Sequence, residues 1–263
     1  MSALRVLTLN LQHGRSADRD AHAPDAASLA AALAGLEADV VALQEVDKGQ
    51  ARSSRVDQTR VVAEALGMPW ARFAAEFAGN ERGLRRRPRP AHVPDGSGYG
   101  VALLSRYPVT SWHVRPLRPG PMRVPRRTGA GWGVAGRYVR VDPARVCLAA
   151  VLATPAGPLS VAVTHLSVDV PTARRQLAES AWALRTLPGP HVLLGDLNLT
   201  GPDAEAATGM SRLAVADTFT ARRPRRQIDH VLGGPGVRAA GPAEVRRLAI
   251  SDHLALAVGL HLG

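Results

Sequence analysis

The sequence predicts an α/β fold built from mixed β-sheets, and three observations support this prediction. Eight short runs rich in valine and leucine, each bounded by polar residues, glycine or proline, are typical of buried strands. Three longer segments carry apolar residues at helical spacing. The segment TPAGP at 154–158 separates two strand-like runs as a hairpin turn does, which indicates antiparallel pairing. Together these features favour layers of helices and mixed sheets over a purely parallel, doubly wound sheet.

The predicted elements follow one another along the whole chain. The strands are 4–9, 39–43, 101–105, 146–152, 159–164, 191–194, 228–232 and 254–260. The helices are 25–36, 57–66 and 172–187, with Asp25, Asp57 and Thr172 as N-cap residues and Gly67 and Gly189 as stop signals. Residues 78–98 are rich in glycine, proline and arginine, which predicts a surface loop. Since no repeat or break in composition divides the chain, we expect a single domain over residues 1–263.

The composition excludes several classes of protein. With 263 residues, 46% of them hydrophobic, the chain is long and apolar enough for a buried core. A lone cysteine, Cys147, excludes an internal disulfide and a cysteine-based zinc site. The first apolar run breaks at Asn10 without a cleavage signal, and no apolar stretch approaches the roughly 18 residues of a membrane span. We therefore expect a soluble, cytoplasmic protein, and a monomer.

The charge is strongly positive, and its meaning stays open at this point. The chain has 33 lysines and arginines against 22 acidic residues, a formal charge of +11, and only Lys48 is a lysine. The arginines cluster at 82–89, 123–127, 222–226 and 246–247. Such clusters attract phosphate groups or nucleic acid through their field. The parallel enrichment in alanine offers a second explanation, a compositional bias with no partner behind it.

Polar side chains stand where the predicted strands meet loops. These residues are Asn10, Gln44, Glu45, His165, Asp196, Asn198, Asp229, His230, Asp252 and His253. Each one alone is more often a turn, cap or rim residue than a functional one. Their joint occurrence at the ends of buried strands is typical of a site, because α/β proteins collect their functional side chains there.

The residue types narrow the chemistry. Carboxylates with an amide, and no cysteine cluster, form an oxygen-rich set that suits Mg²⁺, with Mn²⁺ or Ca²⁺ as alternatives. Glu45 with Asn10 and Asp252 would supply a partial shell for such a cation. Histidines paired with carboxylates suit the attack of water on phosphorus. The sequence contains no P-loop, no GxGxxG after a strand and no GxSxG elbow.

An ordered set of motifs resembles the endonuclease/exonuclease/phosphatase superfamily. The matching segments are TLNLQHG, VVALQEVD, YGVALLSRYPV, VTHL, LLGDLNLT, QIDHVL and SDHLALAV, in the order that the family has them. Each segment alone is weak evidence. The combination of LQE, GDLN, IDH and SDH is highly specific, and the matches extend from residue 8 to 258.

The resemblance implies a four-layer αββα sandwich of two mixed sheets with helices outside, and a divalent-metal phosphoesterase. It implies that Glu45 is the principal metal ligand, with Asn10 and Asp252 on the same side. The residues with implied catalytic roles are Asp196, which orients or deprotonates the attacking water, Asn198 and His165, which contact the phosphate or leaving group, and the pair formed by His253 and Asp229. A phosphate ester, including nucleic acid, is the implied substrate.

Several positions and alternatives remain open. Val101 stands where many relatives have an asparagine, so Tyr99 is a candidate to replace that phosphate contact. His13 is a candidate for the rim of the site, and His230 should face away from it. The segment 52–58 offers Arg55, Asp57 and Gln58 either to the cleft or, for Asp57, to a helix cap. A nuclease, a small-molecule or lipid phosphomonoesterase, and a non-enzymatic nucleic-acid-binding protein remain distinct hypotheses.

Overall fold

Two mixed β-sheets stack face to face in the computed structural model, which describes residues 3–15, 25–80, 96–121 and 143–263. The strands are β1 Leu4–Asn10, β2 Val40–Lys48, β3 Trp70–Ala78, β4 Gly98–Ser105, β5 Val109–Leu117, β6 Arg145–Thr154, β7 Gly157–His165, β8 His191–Asp196, β9 Ser211–Arg212, β10 Asp229–Gly233, β11 Val237–Ala239, β12 Glu244–Arg247 and β13 Leu254–Leu262. The helices are α1 Ala26–Leu33, α2 Gln58–Ala65, α3 Val170–Arg185 and α4 Gly201–Thr208. Short 3₁₀ turns occupy Gln12–Gly14 and Ala51–Ser53.

Each sheet contains one parallel pair of strands among antiparallel neighbours. The first sheet has seven strands in the order β11-β13-β1-β2-β4-β3, with β12 also paired to β13. The second has six strands in the order β5-β6-β7-β8-β10-β9. The parallel pairs are β1 with β2 and β7 with β8. The prediction of mixed sheets is therefore confirmed.

Alternation along the strands builds three apolar layers and so fixes the order of the sandwich. Val6 of β1 points between the sheets, where it packs in one core with residues such as Leu148 of β6. Leu7 points the other way and packs with Leu29 of α1, on the outer face of the first sheet. Leu177 of α3 belongs to a third cluster, on the outer face of the second sheet. The four-layer αββα sandwich is thus confirmed.

Most predicted elements lie where the periodicity placed them. Each of the eight predicted strands overlaps an observed one, and the 154–158 segment forms the β6–β7 hairpin, with Thr154 paired to Gly157. The side chains of Asp25 and Asp57 accept hydrogen bonds from the first turns of α1 and α2, as predicted. None of the described helices is both long and apolar enough to cross a membrane.

Two boundary predictions for the third helix are wrong. Asp169, not Thr172, caps α3, because the Asp169 carboxylate accepts from the Thr172 backbone N–H and lets the helix begin at Val170 with proline in its first turn. The helix ends at Arg185, with Thr186 as its C-cap, so Gly189 lies beyond its end. There Gly189 adopts a φ of +79°, which belongs to the turn before β8.

Some elements were not predicted, and some predictions fall outside the described residues. The unpredicted β3 and β5 are edge strands with many exposed or half-buried side chains, so they lack the apolar runs of central strands. The short α4 has little amphipathic pattern and is defined by the Thr200 cap and by Gly209 at its end. The arginine clusters at 82–89 and 123–127, and most of the predicted 78–98 loop, lie outside the described residues.

A glycine is required at position 195, directly before Asp196 at the end of β8. Its φ is +149°, and a Cβ at this position would lie 1.9 Å from the carbonyl oxygen of Thr164 on the neighbouring β7. We expect Gly195→Ala to lower the free energy of unfolding by at least about 2 kcal/mol, since a close backbone contact and an unfavourable φ act together. Urea denaturation measures this change. Gly241→Ala, where a Cβ meets open space, is the control and should stay within about 0.5 kcal/mol of the unsubstituted protein; equal stability of the two variants would contradict the expectation.

Candidate active site

The predicted site residues converge at one end of the sandwich because of strand direction. Asn10, His165 and Asp196 are the last residues of β1, β7 and β8. Asp229 begins β10, which runs antiparallel to β8, so Asp229 lies directly opposite Asp196. His253 precedes β13, which runs antiparallel to β1. The ends of some strands and the beginnings of their antiparallel neighbours therefore meet at the same edge.

Glu45 reaches this edge in a way that the sequence does not predict. The predicted strand stops at residue 43, whereas β2 continues to Lys48 and its pairing with β4 shifts register between Leu43 and Val46. Glu45 sits in this irregularity with a φ of +53°, a left-handed conformation that is uncommon for a residue other than glycine. The bulge turns the Glu45 carboxylate towards Asn10, whose side-chain N–H donates to Glu45 Oε1 over 3.1 Å.

His253 and Asp229 form a buried charged pair. His253 Nδ1 lies 2.9 Å from Asp229 Oδ2, and both side chains are almost completely buried. Burial alone would lower the pKa of His253, but the hydrogen bond to Asp229 and the charges of Asp229, Asp196 and Asp252 raise it to about 9. The imidazole is therefore positively charged at neutral pH. Its Nε2 lies 3.8 Å from Asp196 Oδ2 and 3.9 Å from Asp252 Oδ1.

The surroundings hold this imidazole in place. The backbone N–H of His253 donates to Ser251 Oγ, and the Ser251 hydroxyl donates to the carbonyl oxygen of Asn10. The rings of Phe219 and His253 lie 4.8 Å apart between centroids. The side chain, its partner carboxylate and the end of β1 are thus connected by short contacts.

Asp196 is the second buried carboxylate. Its Oδ2 accepts a hydrogen bond from the Asn10 side chain over 3.0 Å, and its Oδ1 accepts from the backbone N–H of Asn198 over 3.1 Å. Burial and the negative charge of Asp229 raise the pKa of Asp196 to about 7. A carboxylate with this pKa binds and releases a proton close to neutral pH, as a general base or acid must.

His165 and Asn198 are the remaining residues with a predicted catalytic role. His165 Nε2 lies 3.6 Å from Asp196 Oδ2. Burial and the positive charge of Arg145 lower the pKa of His165 well below its usual range, so the ring is neutral. The Asn198 side-chain N–H donates to the carbonyl oxygen of Leu166, while the backbone adopts a φ of +50°. Both residues therefore lie beside Asp196, as the motifs led us to expect.

Of the metal-side residues, Glu45 and Asp252 are closer to the surface, whereas Asn10 is buried. Burial would raise the pKa of Glu45, but the neighbouring His13 imidazole and the Asn10 amide help to lower it to about 2, so this carboxylate is ionised. Burial raises the pKa of Asp252, whose side chain is 42% exposed. Asn10 uses its amide nitrogen to connect Glu45 and Asp196, and its Oδ1 accepts from the backbone N–H of Gln12.

A divalent cation fits this side of the site. Glu45 offers an ionised carboxylate, and only its Oε1 is engaged by the Asn10 amide. The half-exposed Asp252 carboxylate is near enough to influence, and be influenced by, the charge of Glu45. Hard divalent cations take oxygen ligands of this kind and keep open positions for water or phosphate. The residues present are therefore compatible with a Mg²⁺-type site at Glu45.

A second group of possible metal ligands lies deeper. Among the described residues, ligand atoms of Asp196, Asp229 and His253 lie within 4.8 Å of one another. This group could hold a cation only if His253 gave up its proton, because an imidazolium has no free lone pair. The raised pKa of His253 and its hydrogen bond to Asp229 oppose that change. Glu45 and its neighbours are thus the better fit.

The open positions of the sequence resolve in different ways. Val101 is fully buried in the core between the sheets. Tyr99 lies two residues earlier in the same strand, and burial together with the charge of Glu45 raises its pKa well above the usual range. Gln58 binds the backbone of Asp47 and of His13, which makes it a support for the site. His230 faces away, as predicted, and its Nε2 contacts the carbonyl oxygen of Leu199.

One arginine cluster lies directly beside the site. We call residues 222–226 the arginine turn; its four arginines and Pro224 are all exposed. Phe219 pairs with both Arg226 and His253, the backbone N–H of Ala221 donates to the carbonyl oxygen of Asp252, and the Arg226 guanidinium lies 5.1 Å from the centre of the Phe219 ring. The cluster at 246–247 differs, because Arg246 donates to two carbonyl oxygens at the end of α1.

The layers and the edge on which the polar residues gather define an αββα sandwich with acidic, amide and imidazole side chains clustered at one end. A model of the endonuclease/exonuclease/phosphatase family matches residues 7–253, so the chain belongs to this family, whose members are hydrolases acting on phosphate esters. No curated protein matches the chain.

Solved structures with the same fold include several kinds of protein. An endonuclease/exonuclease/phosphatase from Beutenbergia cavernae DSM 12333 is 24% identical, with a TM-score of 0.71, over 100% of this chain and 72% of that one. Sphingomyelinase C from Streptomyces griseocarneus is 16% identical, with a TM-score of 0.61, over 98% and 99% of the two chains. The mannosyl-6-phosphatase Bt3783 of Bacteroides thetaiotaomicron VPI-5482 is 16% identical, with a TM-score of 0.57, over 98% and 99%. These likenesses concern the fold.

Asp229 should control the protonation of His253. Asp229→Asn removes the charge that raises the His253 pKa, so we expect this pKa to fall from about 9 by at least one unit in metal-free protein. The side-chain resonances of His253 in an NMR titration report the change. Asp203→Asn, in an exposed ion pair with Arg174, is the control and should leave the titration of His253 as it is.

The same substitution should change how stability depends on pH. A pKa raised by folding adds stability that is fully present below the unfolded value of about 6.5 and is lost as the pH rises through the folded value. The difference in free energy of unfolding between the unsubstituted protein and Asp229→Asn should therefore be largest below pH 6.5 and shrink towards pH 9. A difference that grew with pH would contradict the assignment of charge.

Proposed function

We propose that this protein is a divalent-metal-dependent phosphoesterase, acting as a single domain, that hydrolyses a phosphate ester by in-line attack of water. The proposal depends above all on one arrangement: the His253 imidazolium, held by Asp229, beside an Asp196 carboxylate whose pKa is about 7. The reaction requires a fixed positive charge, here the imidazolium, next to a group that accepts a proton. The family supports the same class of chemistry.

The chain's own residues divide the work as follows. Asp196 orients the attacking water and accepts its proton, and the amide of Asn10 fixes the carboxylate in the position to do so. His253 places its Nε2–H against a phosphoryl oxygen, where the charge that builds up in the transition state is stabilised. Neutral His165 and the side chain of Asn198 lie beside Asp196 and contact the phosphate by hydrogen bonds. Because His165 carries no imidazolium proton, the leaving oxygen takes its proton from water.

A cation on the outer side completes the proposal. Glu45 is the principal ligand, with Asp252 and Asn10 beside it, and Mg²⁺ is the cation that we propose, with Mn²⁺ or Ca²⁺ as alternatives. When bound, such a cation neutralises charge on the phosphate and on the leaving oxygen. Because Asn10 donates to both Glu45 and Asp196, one amide holds the proposed metal ligand and the proposed proton acceptor at a fixed separation.

The arginine turn favours a phosphodiester with further phosphate groups, as in a nucleic acid, over an isolated phosphomonoester. Its exposed guanidinium groups are tied through Phe219 and Ala221 to the segment that carries Asp252 and His253. A substrate whose scissile phosphate lies at His253 would extend its neighbouring phosphates past these side chains. Arginine binds phosphate by charge-assisted hydrogen bonds, which makes this rim suitable for a polyanion.

The activity is tested on a panel of phosphate esters with Mg²⁺, Mn²⁺ or Ca²⁺. The panel comprises single-stranded and duplex DNA, abasic DNA, RNA, sphingomyelin, inositol phosphates, p-nitrophenyl phosphate and bis(p-nitrophenyl) phosphate. We expect hydrolysis that EDTA abolishes, and a loss of kcat of at least about 100-fold in Asp196→Asn and in His253→Ala, since each removes a group that acts in the transition state. Circular dichroism checks that both variants fold.

Arg60→Ala on the outer face of α2 is the matched control and should retain full activity. Full activity in Asp196→Asn or His253→Ala would refute the assignment of these residues. An absence of cleavage on every substrate, with no effect of EDTA, would instead support the alternative of a nucleic-acid-binding protein on the same fold.

The role of the arginine turn has a separate test. We expect Arg223→Ala/Arg225→Ala to raise the KM for a single-stranded oligonucleotide about 5- to 30-fold, since two charge-assisted contacts are lost. The slope of log KM against log salt concentration should decrease by about 1.4, the value for two phosphate contacts to a single strand. The control is Arg60→Ala/Arg238→Ala, which removes two exposed arginines outside the turn. Equal effects of the two double variants would show that only the total charge matters.

A further inference from the structure

We propose that His13 is a nitrogen ligand of the cation at Glu45, and that this site therefore prefers a first-row transition cation such as Mn²⁺ to Mg²⁺. The inference rests on the proposed function, because it requires a cation at Glu45. It adds an imidazole to a ligand set that the motifs describe as oxygen only, and it changes which metal the protein should take up.

The backbone that carries His13 has an unusual conformation. Gln12 and His13 adopt φ values of +46° and +47°, and Gly14 follows with +76°. Left-handed conformations cost energy in residues other than glycine and persist only where the surroundings impose them. Two such residues in succession, at the edge where Glu45 is itself left-handed, are a local strain that points to a functional requirement.

Contacts on both sides hold this turn in place. The side-chain N–H of Gln58 donates to the carbonyl oxygen of His13 over 2.7 Å, which connects the turn to the start of α2. The side-chain carbonyl of Gln12 accepts from the backbone N–H of Asp252 over 3.2 Å. The turn therefore stands between Glu45 and Asp252, the two carboxylates of the proposed metal side.

The imidazole presents a ring nitrogen that its surroundings leave unused. His13 Nδ1 is buried and has no hydrogen-bond partner among the described residues. It lies 3.7 Å from Glu45 Oε2, which is too long for a hydrogen bond. A buried polar atom of this kind calls for a partner, and a bound ion is one of the recognised partners.

The separation of the two atoms fits two ligands of one ion. Donors that lie about 2.1 Å from a shared cation, at angles of about 90° to 120°, are roughly 3.0 to 3.6 Å apart. The observed 3.7 Å lies close to the upper end of this range. Asn10 engages the other oxygen of Glu45, so Oε2 and His13 Nδ1 face the same space. Two separate chain segments thus bring one imidazole nitrogen and one carboxylate oxygen to that space.

A nitrogen donor changes the metal preference. Mg²⁺ binds carboxylates and water and gains little from imidazole, whereas Mn²⁺ and later first-row cations accept imidazole readily. The competing explanation is that His13 only orients Glu45 through charge. In that case the substitution of His13 should weaken the binding of both cations alike, since the geometry of Glu45 affects both.

The binding of Mn²⁺ and Mg²⁺ to the full-length protein decides between these explanations. We expect His13→Asn to weaken Mn²⁺ binding by at least about 10-fold and Mg²⁺ binding by less than about 3-fold, measured by calorimetry, because one nitrogen ligand is lost. Asparagine tolerates the left-handed backbone, so the variant should fold, and His13→Gln is the second variant if it does not. His261→Gln, exposed in β13, is the control.

Pulsed EPR of the Mn²⁺ complex gives a readout that does not depend on activity. We expect a ¹⁴N coupling in the unsubstituted protein and in His261→Gln, and its loss in His13→Asn. A coupling that survives, or equal weakening of both cations, would overturn the proposal for His13. If Glu45→Gln binds Mn²⁺ as tightly as the unsubstituted protein, the metal side of the proposed function fails instead, so the two failures are distinguishable.

Discussion

Two carboxylates buried side by side are the constraint on which this edge of the molecule depends. Asp196 and Asp229 are directly opposite each other on antiparallel strands, and both are almost completely buried. Such a pair is unstable as two negative charges unless a cation or hydrogen-bond donors compensate. His253 supplies the cation, and Asn10 supplies a donor. Ser251 and the end of β1 hold these two groups in place, so the stability of the carboxylate pair depends on them as well.

The sequence predicts the central layers well because their physics is local. Residues such as Val6 and Leu7 face opposite apolar layers, so β1 is apolar on both faces and reads as a continuous hydrophobic run. The edge strands β3 and β5 escape prediction for the opposite reason, since half of their surface meets water and their pattern is mixed. The chain offers two acceptable caps for α3 three residues apart. Asp169 is the cap because its carboxylate accepts from both the backbone N–H and the hydroxyl of Thr172, which places Thr172 in the first turn.

That the candidate residues gather at one edge was predictable from the sequence, but their electrostatics were not. The order of the motifs brings Asp196, Asp229 and His253 to one edge, and the structure brings them within contact distance. The bulge that turns Glu45 inward depends on the pairing of β2 with β4, which no local pattern encodes. The protonation states depend on distances between segments that are far apart in the chain. For this reason the pKa of His165 is lowered, whereas that of His253 is raised. His13 had the weakest sequence signal of the group, because its position near Glu45 is visible only in the folded structure.

The positive charge of the chain separates into structural and exposed parts. Arg5 makes a two-pronged ion pair with Glu244, Arg52 does the same with the buried Asp47, and Arg246 binds the end of α1. These arginines stabilise contacts between elements, so a formal charge of +11 overstates the field available to a ligand. The arginine turn differs because its backbone is anchored to the segment that carries Asp252 and His253, and because its four arginine residues are exposed. Position relative to His253, not abundance, is therefore what makes an arginine relevant to a phosphate substrate.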